Sequence, residues 1–207
     1  MEDLTTIAAE VRVCQKCPLA ATRIKAVPGE GPANAELMLI GEGPGMNEDK
    51  QGRPFVGAAG QFLNELIAQA GYKREEVFIT NVVKCRPPGN RDPQPVEIDA
   101  CAEYLNRQIA VINPKVIVTL GRFSMARYFP GAKISAVHGQ AKHIDGRTVV
   151  AMFHPAAALH QPALRQNIEE DFRKLKQIIA GVSKTSEPAK PDSKEDATDA
   201  GEQLSLF

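Results

Sequence analysis

Four cysteines are the residues of this chain whose type and spacing are best suited to chemistry. Cys14 and Cys17 form a Cys-x-x-Cys unit followed by proline, and Cys85 and Cys101 complete the set. Four thiolates can hold a cubane iron–sulfur cluster. Zinc sites usually combine two close cysteine pairs, whereas 15 residues separate the second pair here. The spacing favours a [4Fe–4S] cluster, with zinc and unligated buried cysteines as the open alternatives.

A second group of candidate residues surrounds the ends of three apolar runs. Glu42 lies in the glycine-rich stretch 41–45, Asn81 falls in the next run, and His154 follows the last one, with the loop aromatic Phe55 between the first two. A carboxylate, an amide, an imidazole and an aromatic ring are groups that bind a polar planar ligand. Each also has a plainer explanation, respectively a tight turn, a loop cap, a structural histidine and a core plug, and the residues alone leave both open.

The elements that must position these residues can be read from hydrophobic periodicity. Four short runs with the composition of buried strands cover 36–41, 77–83, 116–121 and 148–153, and segments with helical periodicity cover 61–70, 97–112 and 162–179. This alternation predicts a three-layer α/β/α sandwich around a central, mostly parallel four-stranded sheet. In such sheets the ligand site forms outside the carboxyl ends of the strands, where the candidate residues fall.

Length and charge suggest one domain with a tail. The 207 residues are enough for one globular core, which we assign to residues 1–180. Residues 181–202 are almost free of apolar side chains and predict a flexible linker. The net charge of zero hides three Lys against six acidic residues from position 181 onward, which leaves a mildly basic body compatible with DNA. Without a membrane-spanning run or a signal peptide, we expect a soluble, cytoplasmic, nucleoid-associated monomer.

Taken together, the motifs closely resemble those of family 4 uracil-DNA glycosylases over roughly residues 10 to 180. The matching segments are Gly41-Glu42-Gly43-Pro44-Gly45 with Glu48-Asp49, Gly52-Arg53-Pro54-Phe55-Val56-Gly57, Thr80-Asn81, Lys84-Cys85-Arg86-Pro87-Pro88 and His154-Pro155-Ala156-Ala157. The resemblance implies an enzyme that hydrolyses the N-glycosidic bond of a flipped-out uracil in single- or double-stranded DNA. The product would be an abasic site, which initiates base excision repair.

The resemblance also implies roles for individual residues of the uracil pocket. Phe55 would stack on the uracil ring, and Asn81 would read its edge, since an amide can accept from N3–H and donate to O4. His154 would donate to O2, assisted by backbone amides around Gly41 to Gly43.

The remaining assignments concern the water, the cofactor and the DNA. Glu42 would position or activate the attacking water, and Asn90 would assist. The four cysteines match the family's [4Fe–4S] ligands. The basic residues Lys84, Arg86 and Arg91 would contact phosphates, with a plain solvated loop as an equal alternative.

The last five residues resemble the QL[SD]LF peptide with which bacterial proteins bind the replication sliding clamp. Gln203, Leu204, Leu206 and Phe207 would make the contacts, with the apolar side chains as a small anchor at the end of the tether. Residues 203–207 are therefore predicted to be a clamp-binding peptide.

Two other functions remain open on the sequence alone. One is a uracil-DNA binding protein that becomes covalently trapped on the abasic sugar, but members of that kind carry an inserted basic loop with a histidine. The corresponding stretch 86–101 of this chain contains no histidine. The other is a non-catalytic Fe–S adaptor on the clamp, which would have no need for a polar pocket of the size of a base.

Overall fold

The sheet at the centre of the computed structural model has five strands in the order β2-β1-β3-β5-β4. The structure describes residues 2–185, with side chains as far as residue 181. The strands are β1 (Leu37–Gly41), β2 (Phe78–Asn81), β3 (Val116–Leu120), β4 (Ala141–Ile144) and β5 (Arg147–Met152). The first four strands in this spatial order are parallel to their neighbours, and β4 pairs antiparallel with β5. The predicted mostly parallel sheet is confirmed, with one additional edge strand.

The fifth strand was missed because its side chains are exposed. β4 and β5 form a hairpin through Asp145 and Gly146, which both have positive φ angles (49° and 75°). Two consecutive positive φ values are the geometry of the tight turns that join adjacent antiparallel strands. Since β4 lies at the sheet edge with a largely exposed surface, it lacks the apolar signal by which the other strands were recognised.

Helices cover both faces of the sheet. Their bounds are α1 (Leu4–Val13), α2 (Met46–Gln51), α3 (Ala58–Gln69), α4 (Pro95–Ile112), α5 (Arg122–Ala126), α6 (Ile134–Val137), α7 (Ala156–His160) and α8 (Leu164–Thr185). Helix α8 continues five residues past residue 180, where the linker was expected to begin, so the predicted domain boundary was too early. The rest of the predicted linker and the peptide 203–207 lie outside the described residues.

Alternate residues of each strand serve two separate cores. In β1, Met38 and Ile40 face the core that includes α1 and α4, whereas Leu37 and Leu39 face the core formed with α3 and α8. This two-residue alternation with both faces buried is the pattern of a strand in the middle of a doubly covered sheet. The strands are thereby fixed in register, and their carboxyl ends meet at one edge.

No helix in residues 2–185 combines the length and the apolar character required to cross a membrane.

Candidate active site

A cavity of about 320 Å³ lies at the carboxyl ends of β1, β2 and β5. It brings together seven of the predicted site residues, which come from segments far apart in the sequence. The cavity is lined by Glu42, Gly43, Pro44, Gly45, Glu48, Phe55, Ala59, Asn81, Pro87, Asn90, Arg91, Asp92, Pro93, His154, Ala156 and His160. Lys84, Arg86 and the four cysteines are not among the lining residues. The cavity therefore has an aromatic wall, carboxylates, amides and an imidazole within one enclosure.

Phe55 and His154 form the flat wall of this cavity. Their rings are stacked with centroids 5.5 Å apart and an angle of 27° between the planes. Phe55 adopts a positive φ of 51° and is nearly buried. Gly41 makes this placement possible, since a Cβ on Gly41 would lie 2.7 Å from the Phe55 ring and 2.4 Å from Asn81 Oδ1. Gly41 thus contributes room beneath the wall, although it does not line the cavity.

Asn81 ends β2 with its side chain buried and one atom unsatisfied. The residue is 1% exposed, and its Oδ1 has no hydrogen-bond partner. A buried polar atom without a partner costs free energy of about 1–3 kcal/mol. Because Asn81 lines the cavity, a ligand that places an N–H group opposite Oδ1 would remove this cost. The site therefore favours a ligand with a hydrogen-bond donor at this position.

The environment of His154 selects one protonation state. Burial lowers the pKa of His154 to about 4, so the ring is neutral near pH 7. The backbone N–H of Ala156 donates to His154 Nδ1 over 3.1 Å. Since Nδ1 accepts, the proton of the neutral ring resides on Nε2. His154 can therefore offer a neutral N–H donor to a ligand in the cavity.

The start of α5 holds the side chain of Glu42, which follows β1. Its Oε1 accepts from the backbone N–H of Phe123 over 3.2 Å. Gly121, with a φ of 94°, provides the space, since a Cβ there would lie 2.4 Å from Glu42 Oε1. Burial raises the pKa of Glu42 above its ordinary value, and the nearby Asp92 charge adds to this, whereas contacts with the Phe123 and Arg122 backbone lower it. A carboxyl with a raised pKa is suited to accept a proton.

Glu48 connects the two loops that carry the site, a role that the sequence analysis did not assign. Its Oε1 accepts from the backbone N–H groups of Val56 and Gly57 over 2.8 and 2.9 Å, and its Oε2 accepts from Gly45 N–H over 3.1 Å. The carboxylate thereby joins the glycine-rich loop to the loop of Phe55. The spacing of Glu48 three residues after Gly45 at the start of α2 was a usable signal, since a glutamate at the third helical position can accept from the backbone N–H of the N-cap residue.

Lys84, which we predicted to contact phosphates, is buried inside the protein. The side chain is 1% exposed, and burial lowers its pKa to about 7, with the Cys101 charge acting in the opposite direction. A lysine two residues before an arginine resembles a surface residue in the sequence, but the start of the loop after β2 packs against α4. We therefore remove Lys84 from the set of DNA-binding candidates.

The other basic candidates retain some access to solvent, but they also have partners. Arg91 forms two hydrogen bonds with the buried carboxylate of Glu97, over 2.6 and 2.9 Å. Arg86 Nε donates to Asn90 Oδ1 over 2.7 Å. Arg86 therefore orients Asn90, which lines the cavity.

The four cysteines lie near one another between α1, the loop after β2 and α4. Cys85 and Cys101 are buried, and Cys14 and Cys17 pack against the same core. Burial raises the pKa of Cys85, a hydrogen bond from Arg23 lowers it, and the charges of Cys17 and Cys14 raise it again. Burial also raises the pKa of Cys101 to about 11, with contributions from Cys85 and Cys17. Within residues 2–185, no three His, Cys, Asp or Glu side chains converge closely enough for a single metal ion.

The family of this chain follows from comparison with known proteins. The family model described as the uracil DNA glycosylase superfamily matches residues 28–177. The fold and the cavity are thus those of a chain that belongs to the uracil-DNA glycosylase superfamily.

Within this superfamily, several relatives that are 41–50% identical to the chain are type-4 uracil-DNA glycosylases, and the chain belongs to that group. The protein of that name from Sulfurisphaera tokodaii is 50% identical over 188 residues, which cover 86% of each chain. The one from Archaeoglobus fulgidus is 46% identical over 86% of this chain and 94% of the relative. The one from Thermotoga maritima is 45% identical over 86% of this chain and 96% of the relative. The family 4 resemblance found in the motifs is therefore confirmed.

Proposed function

We propose that the protein removes uracil from DNA by hydrolysing the N-glycosidic bond. The observation that carries this proposal is the unpaired Oδ1 of Asn81 in the wall of a cavity that also presents a stacked aromatic ring and a neutral imidazole. The family supplies the reaction, and these residues supply the groups that the reaction requires.

Uracil recognition uses the flat wall and the Asn81 amide. The base lies against Phe55, and uracil N3–H donates to the otherwise unsatisfied Asn81 Oδ1. The amide NH₂ of the same side chain donates to O4. Cytosine presents the opposite hydrogen-bonding polarity at both atoms, so a paired contact of this kind discriminates by about 1–3 kcal/mol.

Bond cleavage requires stabilisation of negative charge on the leaving base. When the C1′–N1 bond breaks, its electron pair moves onto uracil and is delocalised toward O2. His154 Nε2–H donates to O2, and its neutral state means that the donor retains its proton. Backbone amides around Gly41 to Gly43 add further donors, and such preorganised donors usually provide a large share of the rate enhancement.

We assign the activation of the attacking water to Glu42. Its carboxylate accepts a proton from the water that bonds to C1′, and it also stabilises the positive charge that develops on the sugar. The raised pKa caused by burial favours acceptance of this proton. Asn90, oriented by Arg86, lies in the same cavity and assists in holding the water.

The substrate is uracil-containing DNA, bound over the mouth of the cavity. Arg86 and Arg91 remain our candidates for phosphate contacts. Arg91 also forms an ion pair with Glu97. The body of the chain has a mild excess of basic residues, which supports binding of a polyanion without a strongly basic surface.

We further propose that Cys14, Cys17, Cys85 and Cys101 hold a [4Fe–4S] cluster. In a cubane each thiolate binds its own iron, so the four sulfurs surround the cluster rather than converge on one point. The proximity of all four thiols, two of them buried, fits such a group. When bound, the cluster supplies a covalent connection between the N-terminal segment, the loop after β2 and α4. Hydrolysis itself needs no electron transfer.

The C-terminal peptide 203–207 is proposed to bind the replication sliding clamp. Its five residues match the clamp-binding pattern, and the preceding polar segment gives it reach. We expect deletion of residues 203–207 to abolish binding to purified clamp in a surface plasmon resonance assay. Excision on short oligonucleotides should be unchanged, because none of the residues assigned to the uracil pocket belongs to the peptide. Clamp binding by the deletion variant would contradict the assignment, and the double substitution Leu204→Ala with Phe207→Ala provides a full-length control.

A turnover experiment tests the enzymatic function. Purified protein is mixed first in excess over, and then at a concentration below, a single strand that contains one uracil, and a strand with thymine at that position is the control. We expect several alkali-labile abasic sites per protein molecule with uracil and none with thymine. Product that remains covalently attached to the protein in a denaturing gel would instead identify a trapped binder, and the absence of any product would favour an adaptor.

A further inference from the structure

Lys84 is a buried cation between the base-reading residue and the cysteines. Its Nζ donates to Thr80 Oγ1 over 2.6 Å, to the backbone carbonyl of Asn81 over 2.8 Å and to Gln108 Oε1 over 2.8 Å. An ammonium group has three N–H donors, so each has an acceptor. One of these hydrogen bonds therefore connects Lys84 directly to the backbone of Asn81.

The network continues into the rest of the protein through neutral groups. Thr80 Oγ1 donates to the carbonyl of Pro28 over 3.1 Å, and Gln108 Nε2 donates to the same carbonyl over 2.6 Å. Lys84 therefore joins the end of β2 to α4 and to the segment before β1. Since Val82 N–H donates to Gly41 O on the other side, the backbone at Asn81 is held from two directions.

The charge of Lys84 is not balanced by a carboxylate. Among the described residues, none of the ion pairs involves Lys84, and its three acceptors are all neutral. A buried ammonium is unfavourable unless an opposite charge lies near. The groups at hand that would become anionic on binding a cluster are the cysteines, since the Lys84 backbone N–H donates toward Cys101 and Cys85 is its neighbour in sequence.

We propose that Lys84 is a positioning residue that couples the cysteine site to uracil recognition. Four thiolates around an iron–sulfur core carry net negative charge, which balances the ammonium, and the ammonium in turn fixes the Asn81 backbone. This inference rests on the proposed function, because it assigns to Asn81 the reading of uracil. Through Lys84, Cys14, Cys17, Cys85 and Cys101 would influence uracil binding without any redox step.

The test compares Lys84→Met with a matched core variant. Lys84→Met keeps the length of the side chain and removes the charge and the three donors. Ile112→Ala, a truncation at the end of α4 in the same core, controls for a general loss of stability. Binding of labelled free uracil is measured by equilibrium dialysis, binding of a uracil-free single strand by fluorescence anisotropy, and bound iron by resistance to a chelator.

We expect Lys84→Met to weaken free uracil binding about tenfold or more, and to release iron faster than wild type. Uracil-free DNA should bind with nearly unchanged affinity, and Ile112→Ala should bind free uracil like wild type. In an Asn81→Ala background, Lys84→Met should have no further effect on uracil, since both act through one side chain. Should Lys84→Met fail to fold, Thr80→Val removes one acceptor with little change in shape and should show the same pattern more weakly.

Unchanged uracil binding in Lys84→Met, or losses that add to those of Asn81→Ala, would overturn the inference. The dialysis measurement does not depend on turnover. A wild-type protein that excises uracil while Lys84→Met binds it normally therefore rejects only the role of Lys84, whereas a wild-type protein without excision rejects the proposed function.

Discussion

At the scale of single residues, the cavity controls protonation through burial. Glu42 and His154 are both shifted toward their neutral forms, because a low-dielectric surrounding disfavours charge on either group. For His154 the neutral form is the useful one, since it retains the Nε2–H donor. For Glu42 the charged form is the useful one, and its raised pKa moves the loss of that form to higher pH.

The first prediction concerns the pH dependence of excision. The rate should fall as pH decreases through the raised pKa of Glu42, because the carboxylate becomes protonated and can no longer accept a proton. This decline should occur above the ordinary glutamate value of 4.5. His154 should not contribute to it, since its ring stays neutral down to about pH 4. Single-turnover rates from acid to neutral pH would test this. The variant Glu42→Gln should be slower and should lack the decline, and a decline that persists in Glu42→Gln would exclude Glu42 as its origin.

The second prediction concerns the donor at His154. Replacement by alanine should reduce the single-turnover rate by about 100- to 1,000-fold, the effect of losing one preorganised donor at developing charge. Affinity for the DNA strand should change little, because the contact strengthens as the bond breaks. Rapid-quench kinetics at saturating protein would measure the rate. His143, an exposed residue of β4, provides the control, since His143→Ala should be as fast as wild type. Comparable rates for the two variants would remove His154 from the catalytic set.

At the scale of elements, the pocket depends on the conformation of the glycine-rich loop and of the Phe55 loop, which side chains outside the sheet fix. Glu48 on α2 accepts three backbone hydrogen bonds from two different loops. Arg74 adds to this by donating to the carbonyls of Pro54 and Phe55 over 2.6 and 3.3 Å. Phe55 is therefore held in its positive φ conformation by charged side chains from two separate elements.

The third prediction follows from this bracing. Glu48→Gln places an NH₂ group opposite at least one backbone donor, so one or more buried N–H groups lose their acceptor. We expect a loss of about 1–3 kcal/mol in stability, together with weaker uracil binding because Phe55 is less fixed. Thermal unfolding and equilibrium dialysis of uracil would measure both effects. Glu36→Gln, which affects an exposed ion pair with Lys115, should change neither property. Wild-type behaviour of Glu48→Gln would show that the loops hold their conformation without this carboxylate.

At the scale of the whole molecule, the cysteine site and the cavity lie at different places but share one strand end. The loop that follows Asn81 carries Lys84 and Cys85 and then returns to the cavity at Pro87 and Asn90. A change at the cysteines is therefore expected to alter DNA binding through the loop, whereas Glu42 and His154, which follow β1 and β5, are held independently of it.

The fourth prediction concerns this separation. Cys85→Ser should lower stability by about 3 kcal/mol or more if the proposed cluster is bound, since loss of a metal site is among the most destabilising kinds of substitution. DNA affinity should fall with it, while the single-turnover rate at saturating protein should change less. Melting temperature, anisotropy and rapid-quench rates would separate these effects, and Val13→Ser, at an exposed position beside Cys14, is the control. A normal melting temperature for Cys85→Ser would reject a structural role for the site.

The sequence alone predicted four of the five strands and the helices α3, α4 and α8, because these depend on local signals. Buried strands such as Val116–Leu120 are apolar throughout, and the polar motifs follow the strand ends where open α/β sheets form ligand sites. The exposed strand β4 and the extension of α8 carried weaker local signals and were missed.

Only the tertiary structure decided which polar atoms have partners. Lys84 was interpreted from the sequence as a surface residue, but Gln108, 24 positions away, accepts from its ammonium group in the interior. The unpaired oxygen of Asn81 and the tautomer of His154 likewise became evident only once their surroundings were known. The physical reason is that burial and hydrogen bonding are properties of neighbours in space, and in these cases the neighbours are supplied by elements distant in the chain.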